Sequence, residues 1–283
     1  MKKFILIIIY SIFIFTASSA DTRQIKDRFF SSIESYFNNN FEDTEFSFKS
    51  KEGNKPEIGI LTFKPLNEND NGITFFQGSF FTHDGDRETL NLGYGKRFFN
   101  SDKSFLYGLN TFYDHELDYD HQRGSLGGEI KSSILELNTN HYFSISDERT
   151  GKNSVKEEVA DGYDLELGAH VPYIPSAKIF AKIFEYEIPG GSDFEGMEYS
   201  SKIGIPNSGL NIEVGFKDFG NASYDDQWFI NFTFNSNKIN KNMNFINSEA
   251  FERISMEDKK YDKVRRENLI VKSKAFSVKA GGF

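Results

Sequence analysis

The feature that most constrains this chain is a period of two sustained over most of its length. From Phe41 to Asn235, apolar residues recur at every second position in segments of about ten or more, separated by turn signals. Trp228, Ile230, Phe232 and Phe234 share one face of such a segment, and Asn231, Thr233 and Asn235 share the other. Leu210, Ile212, Val214 and Phe216 likewise oppose Asn211, Glu213, Gly215 and Lys217, while Tyr163, Leu165, Leu167, Ala169 and Val171 oppose Asp164, Glu166, Gly168 and His170. The pattern predicts strands at 42–50, 57–66, 72–82, 87–99, 104–114, 122–131, 134–146, 161–171, 177–188, 197–205, 210–218 and 227–235, twelve in all. A soluble sandwich also alternates, but its strands average about 5 to 6 residues and its polar face is the outer one. Strands of roughly 9 to 11 residues with an aromatic surplus fit an all-β outer-membrane barrel better. With 31 Phe, 13 Tyr and 1 Trp, the expectation is a twelve-stranded antiparallel outer-membrane barrel, apolar face to lipid and charge inside.

Residues 1–20 read as a signal peptide: Lys2 and Lys3, an apolar run from Phe4 to Phe15, then Ser18 and Ala20 before a cut. Residues 21–40 read as a short periplasmic helix, with Ile25, Phe29, Ile33 and Phe37 spaced by four, Asp21 or Thr22 as cap and Asn38 to Asn40 as stop. The 42 acids against 33 bases give a net charge of −9, which argues against a nucleic-acid partner because phosphate neutralisation needs a basic surface. With no Cys and 5 His there is no disulfide framework and little material for a metal centre, so no metal, cofactor or catalytic site is expected.

Loop lengths give an orientation. Connections after odd-numbered strands, at 115–121, 147–160, 189–196 and 219–226, are longer than those at 100–103, 132–133, 172–176 and 206–209. Outer-membrane barrels keep short turns in the periplasm, so both ends of the barrel segment 41–235 are expected on that side.

Ordered motifs then carry a resemblance. Asn91-Leu92-Gly93-Tyr94-Gly95 with Arg97 is followed by Gly108-Leu109-Asn110-Thr111-Phe112-Tyr113-Asp114, then by His121-Gln122-Arg123 with Leu126-Gly127-Gly128-Glu129. Ala160-Asp161-Gly162-Tyr163-Asp164 comes next, with Pro172 and Pro175 after it, and Tyr261 to Val271 closes the series as Tyr-Asp-Lys-Val-Arg-Arg-Glu-Asn-Leu-Ile-Val. Together these resemble the inverse autotransporter β-domain of intimin and invasin.

The resemblance implies an outer-membrane anchor and translocation pore. The linker would re-enter the barrel from the periplasm and carry an adhesive passenger outside, with lipid, barrel-assembly machinery, periplasmic chaperones and a host or cell-surface ligand as partners. It assigns Asn110, Tyr113, Asp114, Arg123, Glu129, Tyr163 and Asp164 to the lumen or structural motif, and Tyr261, Val264, Arg266, Asn268 and Ile270 to the linker motif. An immunoglobulin-like domain takes about 100 residues. The segment 236–283 is too short for one, so the expected chain is an anchor without its passenger.

Ser248 is placed to cap a helix running through Arg266, roughly 28 Å long, that would plug the lumen. Between Glu249 and Lys274 this tail holds eight bases and six acids, to be met by Glu129, Glu136, Asp164 and Glu166. Asp114, His115, Asp120 and His121 fall in one expected external loop; such pairs can activate water or bind a divalent ion, but no nucleophile accompanies them, and a solvated loop is the simpler reading. The competing function is a self-contained porin-like channel or surface-loop binder in which the barrel is the whole protein.

Overall fold

Twelve of the alternating segments close on themselves. The computed structural model describes residues 44–235 and 246–273 apart from positions 86, 207, 222 and 252; the signal peptide and the helix at 21–40 lie outside the described residues. The strands are β1 (Thr44–Lys51), β2 (Glu57–Asn69), β3 (Gly72–His83), β4 (Arg87–Phe99), β5 (Leu106–Glu116), β6 (His121–Lys131), β7 (Leu135–Ser144), β8 (Arg149–Thr150), β9 (Lys156–Glu157), β10 (Asp161–Val171), β11 (Ile174–Glu187), β12 (Phe194–Gly204), β13 (Leu210–Phe219) and β14 (Gln227–Asn235). All but β8 and β9 form one antiparallel barrel, closed by β1 on β14 with Phe48 opposite Phe232 and Glu45 opposite Asn235. Closure satisfies every strand's main chain within the sheet, the condition for a sheet to stand in hydrocarbon.

The faces are inverted relative to a soluble protein. Leu92, Tyr94 and Phe98 on β4, Tyr107 and Leu109 on β5, Leu165 and Leu167 on β10 and Trp228 and Phe234 on β14 point outward and are exposed. Arg97, Asp114, Arg123, Glu129, Asp164, Glu166 and Glu198 point inward and are buried. The outer face is the lipid face of an outer-membrane barrel.

The expected strand bounds hold to within a few residues, with one addition. The connection between β7 and β10 folds its own two-stranded ribbon, β8 on β9, with Arg149 opposite Glu157. Two-residue strands carry no period, so the alternation could not reveal them.

The expected helix from Ser248 to Arg266 does not form. The segment 246–273 is irregular and extended where described, with one 3-10 turn at Met256–Lys259, whose Glu257 N–H donates to the Ser255 hydroxyl. Reach explains the difference. The segment 260–272 spans up to roughly 43 Å extended but only about 20 Å as a helix, and it runs from the short-turn end of the barrel to the ribbon end. Its peptide groups also find partners in the wall, which removes the helix's main advantage.

Candidate functional site

The interior is occupied by this segment, and its path can be followed bond by bond. At the end of the short turns, Asn247 N–H donates to Tyr173 O (2.8 Å), the Ser133 hydroxyl donates to Ile254 O (3.1 Å), and Met256 N–H donates to Lys103 O (3.0 Å). Lys260 and Tyr261 then meet Glu68 of β2. Lys263 reaches Glu45 of β1. Val264 is buried among Phe63, Ile73, Phe75 and Phe112, and its N–H donates to Gln77 Oε1 at 2.8 Å.

The centre is ionic. Arg265 bonds Glu166 (2.5 and 2.9 Å) and Glu213 (3.0 Å), with its guanidinium 3.7 Å from the centre of the Phe180 ring. Arg266 forks onto Asp114, which also accepts from Arg123 at 2.9 Å. Asn140 and Tyr142 share Asp164, and the Tyr142 hydroxyl in turn accepts from Glu267 N–H. Buried charges of this kind persist only when paired and hydrogen-bonded. The side chains of Arg266, Asp114 and Arg123 are all wholly buried, so these are not the weak pairs of an exposed surface.

At the ribbon end the segment is clasped. Ala160 N–H donates to Val271 O (3.0 Å), Ser273 N–H donates to Glu158 O (2.8 Å), and Val159 and Lys272 form an antiparallel bridge. Val271 packs with Tyr142, Ala160, Phe184, Tyr186, Ile188 and Phe194. Lys272 pairs with Glu116, and Arg87 bonds both Glu116 (2.6 Å) and Glu157 (2.6 Å). Burial raises the Glu157 carboxyl, but hydrogen bonds from His121 and Arg87 and the charges of Lys272 and Arg87 outweigh it and bring it down to about 2. Glu116, His121 and Glu157 bring ligand-type atoms within 4.8 Å of one another. Both carboxylates there are already neutralised by Arg87 and Lys272.

The residues singled out from the sequence divide as follows. Asp114, Arg123, Asp164 and Glu129 face the lumen, Glu129 paired with Arg97 at 2.6 Å. Asn110 also faces inward, against Gly127, where any Cβ would lie 2.4 Å from its Oδ1. Gly93 and Gly95 admit the Phe112 and Phe75 rings in the same way, at 2.1 and 2.4 Å from a built Cβ, so they are sites of close packing.

Tyr113 and Tyr163 do not face the lumen. Each precedes an inward aspartate, so the period of two turns each outward, where the Tyr163 hydroxyl donates to Glu185 at 2.8 Å. The expected external loop at 115–121 shrinks to a turn: Asp114 and His115 belong to β5, His121 opens β6, and of the four only the half-buried His115 and the exposed Asp120 pair with each other, at 2.9 Å. Of the linker residues, Tyr261, Val264 and Arg266 hold the contacts above, Asn268 O accepts from Asn91 at 2.9 Å, and Ile270 is buried. Gln77, Arg87, Asn140, Tyr142 and Glu157 were not singled out. The first four are in phase with inward neighbours on their strands, which is the signal that marks them.

Against known proteins, the family described as "Inverse autotransporter, beta-domain" matches residues 16–268. An attaching and effacing protein homolog of Escherichia coli K12 is 31% identical over 135 residues, 47% of this chain and 43% of that protein. Invasin of Yersinia enterocolitica is 31% identical over 103 residues, 36% of this chain and 12% of invasin. Intimin of Escherichia coli O127:H6 is 28% identical over 127 residues, 44% of this chain and 13% of intimin. The matched segment is thus less than half of each relative. A solved structure from work on the in-meso crystallization of membrane proteins superposes with a TM-score of 0.66 at 21% identity, covering 82% of this chain and 99% of that one. That likeness concerns the fold.

Proposed function

The chain belongs to the inverse autotransporter β-domain family, and from that premise we propose that it is the outer-membrane anchor and translocation pore of an intimin- and invasin-like adhesin, its linker crossing from the periplasm to the cell surface. The observation that carries this reading is the segment from Tyr261 to Val271, threaded through the lumen from the short-turn end to the ribbon end. Short turns at 70–71, 132–134 and 172–173 against the long connection at 145–160 support a periplasmic start for β1. The partners of this reading are outer-membrane lipid on the apolar face, the barrel-assembly machinery and periplasmic chaperones during insertion, and a host or cell-surface ligand for whatever adhesive segment the pore exports.

We assign the barrel no catalytic step. A channel-only role is less favoured because the lumen side chains spend their charges on the linker rather than on an open path. The test is an epitope appended after Phe283 on otherwise intact chain, probed with antibody on unbroken cells. Surface labelling supports export through the pore; labelling only after the outer membrane is broken sinks it.

A further inference from the structure

The wall and the linker touch in two chemically different ways. Side-chain recognition of the linker is concentrated on its basic residues, chiefly Arg265 on Glu166 and Glu213, Arg266 on Asp114, and Lys272 on Glu116. Val264 and Val271 add apolar packing and Tyr261 a hydroxyl bond to Glu68, and a further set of contacts reads only the main chain. Arg97 donates to Lys260 O (2.6 Å), Val264 N–H donates to Gln77, Asn140 donates to Arg265 O (3.0 Å), and Glu267 N–H donates to Tyr142. Arg123 donates to Glu267 O (2.7 Å) and Leu269 O (3.0 Å), and Asn91 donates to Asn268 O (2.9 Å). These six wall residues lie on β3, β4, β6 and β7, within the arc that runs from β3 through β5 to β7.

We propose that this arc is a main-chain recognition track: a binding site for extended polypeptide of any sequence, on which the basic linker residues act as the stop that fixes the final register. The inference rests on the translocation reading and names what the lumen reads. A peptide group offers the same donor and acceptor at every residue except proline, so amide and guanidinium side chains aimed at it cannot discriminate sequence. The wall also has spare capacity. Gln77 Nε2, Asn110 Oδ1 and Asn138 Oδ1 are buried in the lumen without a protein partner, an unused donor and two unused acceptors for a chain in another register. Arg265 and Arg266 supply what the track lacks, since only these neighbours in register 265–266 meet Glu166, Glu213 and Asp114 together.

The experiment compares two full-length variants by amide exchange at positions 264 and 267, the two N–H groups within 260–270 that donate to wall side chains. One scrambles 260–270 while keeping Arg265, Arg266 and every main-chain atom. The other keeps the linker and replaces the track with Gln77→Met, Asn91→Leu, Asn140→Leu and Tyr142→Phe. The track variant is expected to exchange at least about tenfold faster, the scale of a lost hydrogen bond, while the scramble stays within about threefold of the parent. Equal acceleration in the scramble overturns the proposal, because the linker is then read through its side chains. Heat-modifiable gel migration checks that each barrel is assembled, and if the track variant fails that check the scramble alone decides. The epitope after Phe283 separates the two ideas: if it stays inside in the parent, export fails as the function while the exchange data still judge the track.

Discussion

Arg266 of the linker and Asp114 of β5 meet as a fork inside the barrel, Nη1 to Oδ1 at 2.8 Å and Nη2 to Oδ2 at 2.7 Å, with neither side chain exposed. The Arg266 guanidinium also lies 4.2 Å from the centre of the Phe112 ring. Breaking a buried pair by removing one partner costs about 3 to 5 kcal/mol. Arg123 still neutralises Asp114, so Arg266→Met is expected at the lower end of that range. The loss should fall on linker docking: proteolysis within 255–273 speeds up while the barrel keeps its heat-modifiable migration. Unchanged proteolysis of the linker overturns the anchoring role given to this residue.

The lipid face is tested by a neighbouring pair on β14. Phe232→Arg puts a basic group into the bilayer, at about 2 to 4 kcal/mol near the midplane, and should lower assembly yield. Asn231→Arg points into a lumen cavity that also exposes Glu213 and should assemble normally. Equal yields of the two would falsify the facing.

How much of this was legible in the sequence follows from what was periodic. Strand positions and facing were readable because lipid on one side and charge on the other force alternation, and Phe232 against Asn231 is an instance. The course of the tail was not. Lys260, Arg265 and Glu267 bond to Arg97, Asn140 and Tyr142 more than 100 residues away, and no local pattern reports a partner that distant. A helix from Ser248 was the local optimum, and the wall's hydrogen bonds outbid it.

Topology is tested by protease added to intact cells. The connection at 145–160 should be cut, although its β8–β9 ribbon and the Val159 to Lys272 bridge will slow the cut relative to an open loop. The Pro172–Tyr173 turn should be spared, being both two residues long and on the opposite end. Cutting confined to 172–173 reverses the orientation.

Deleting 247–283 should leave an assembled barrel, because β14 ends at Asn235 and its pairing with β1 closes the sheet. A twelve-stranded interior is wider than the roughly eight strands that side chains alone can fill. Planar-bilayer currents should therefore be larger and steadier for the deletion than for the full chain; indistinguishable currents would mean that the linker does not block the lumen.

Acid should loosen the clasp by a route whose sign is fixed by Glu157. Its carboxyl is held down at about 2 against an ordinary 4.5, so its contribution is fully present above 4.5 and is lost as pH falls from there through about 2. Exchange at the Ser273 amide, once corrected for intrinsic rates, should be flat from pH 7 to 5 and rise below 4.5. Glu157→Gln should flatten that acid limb.

The pairing at the exit also has a mechanical consequence. The linker leaves the barrel antiparallel to 158–160, and that short stretch continues directly into β10. Tension on the emerging chain therefore slides the two stretches past each other, loading the bonds at Val271 and Ser273 together instead of peeling them one at a time. The load passes into a sheet that has no free edge strand to strip. A clasp built this way resists a steady pull on the linker best along its own axis.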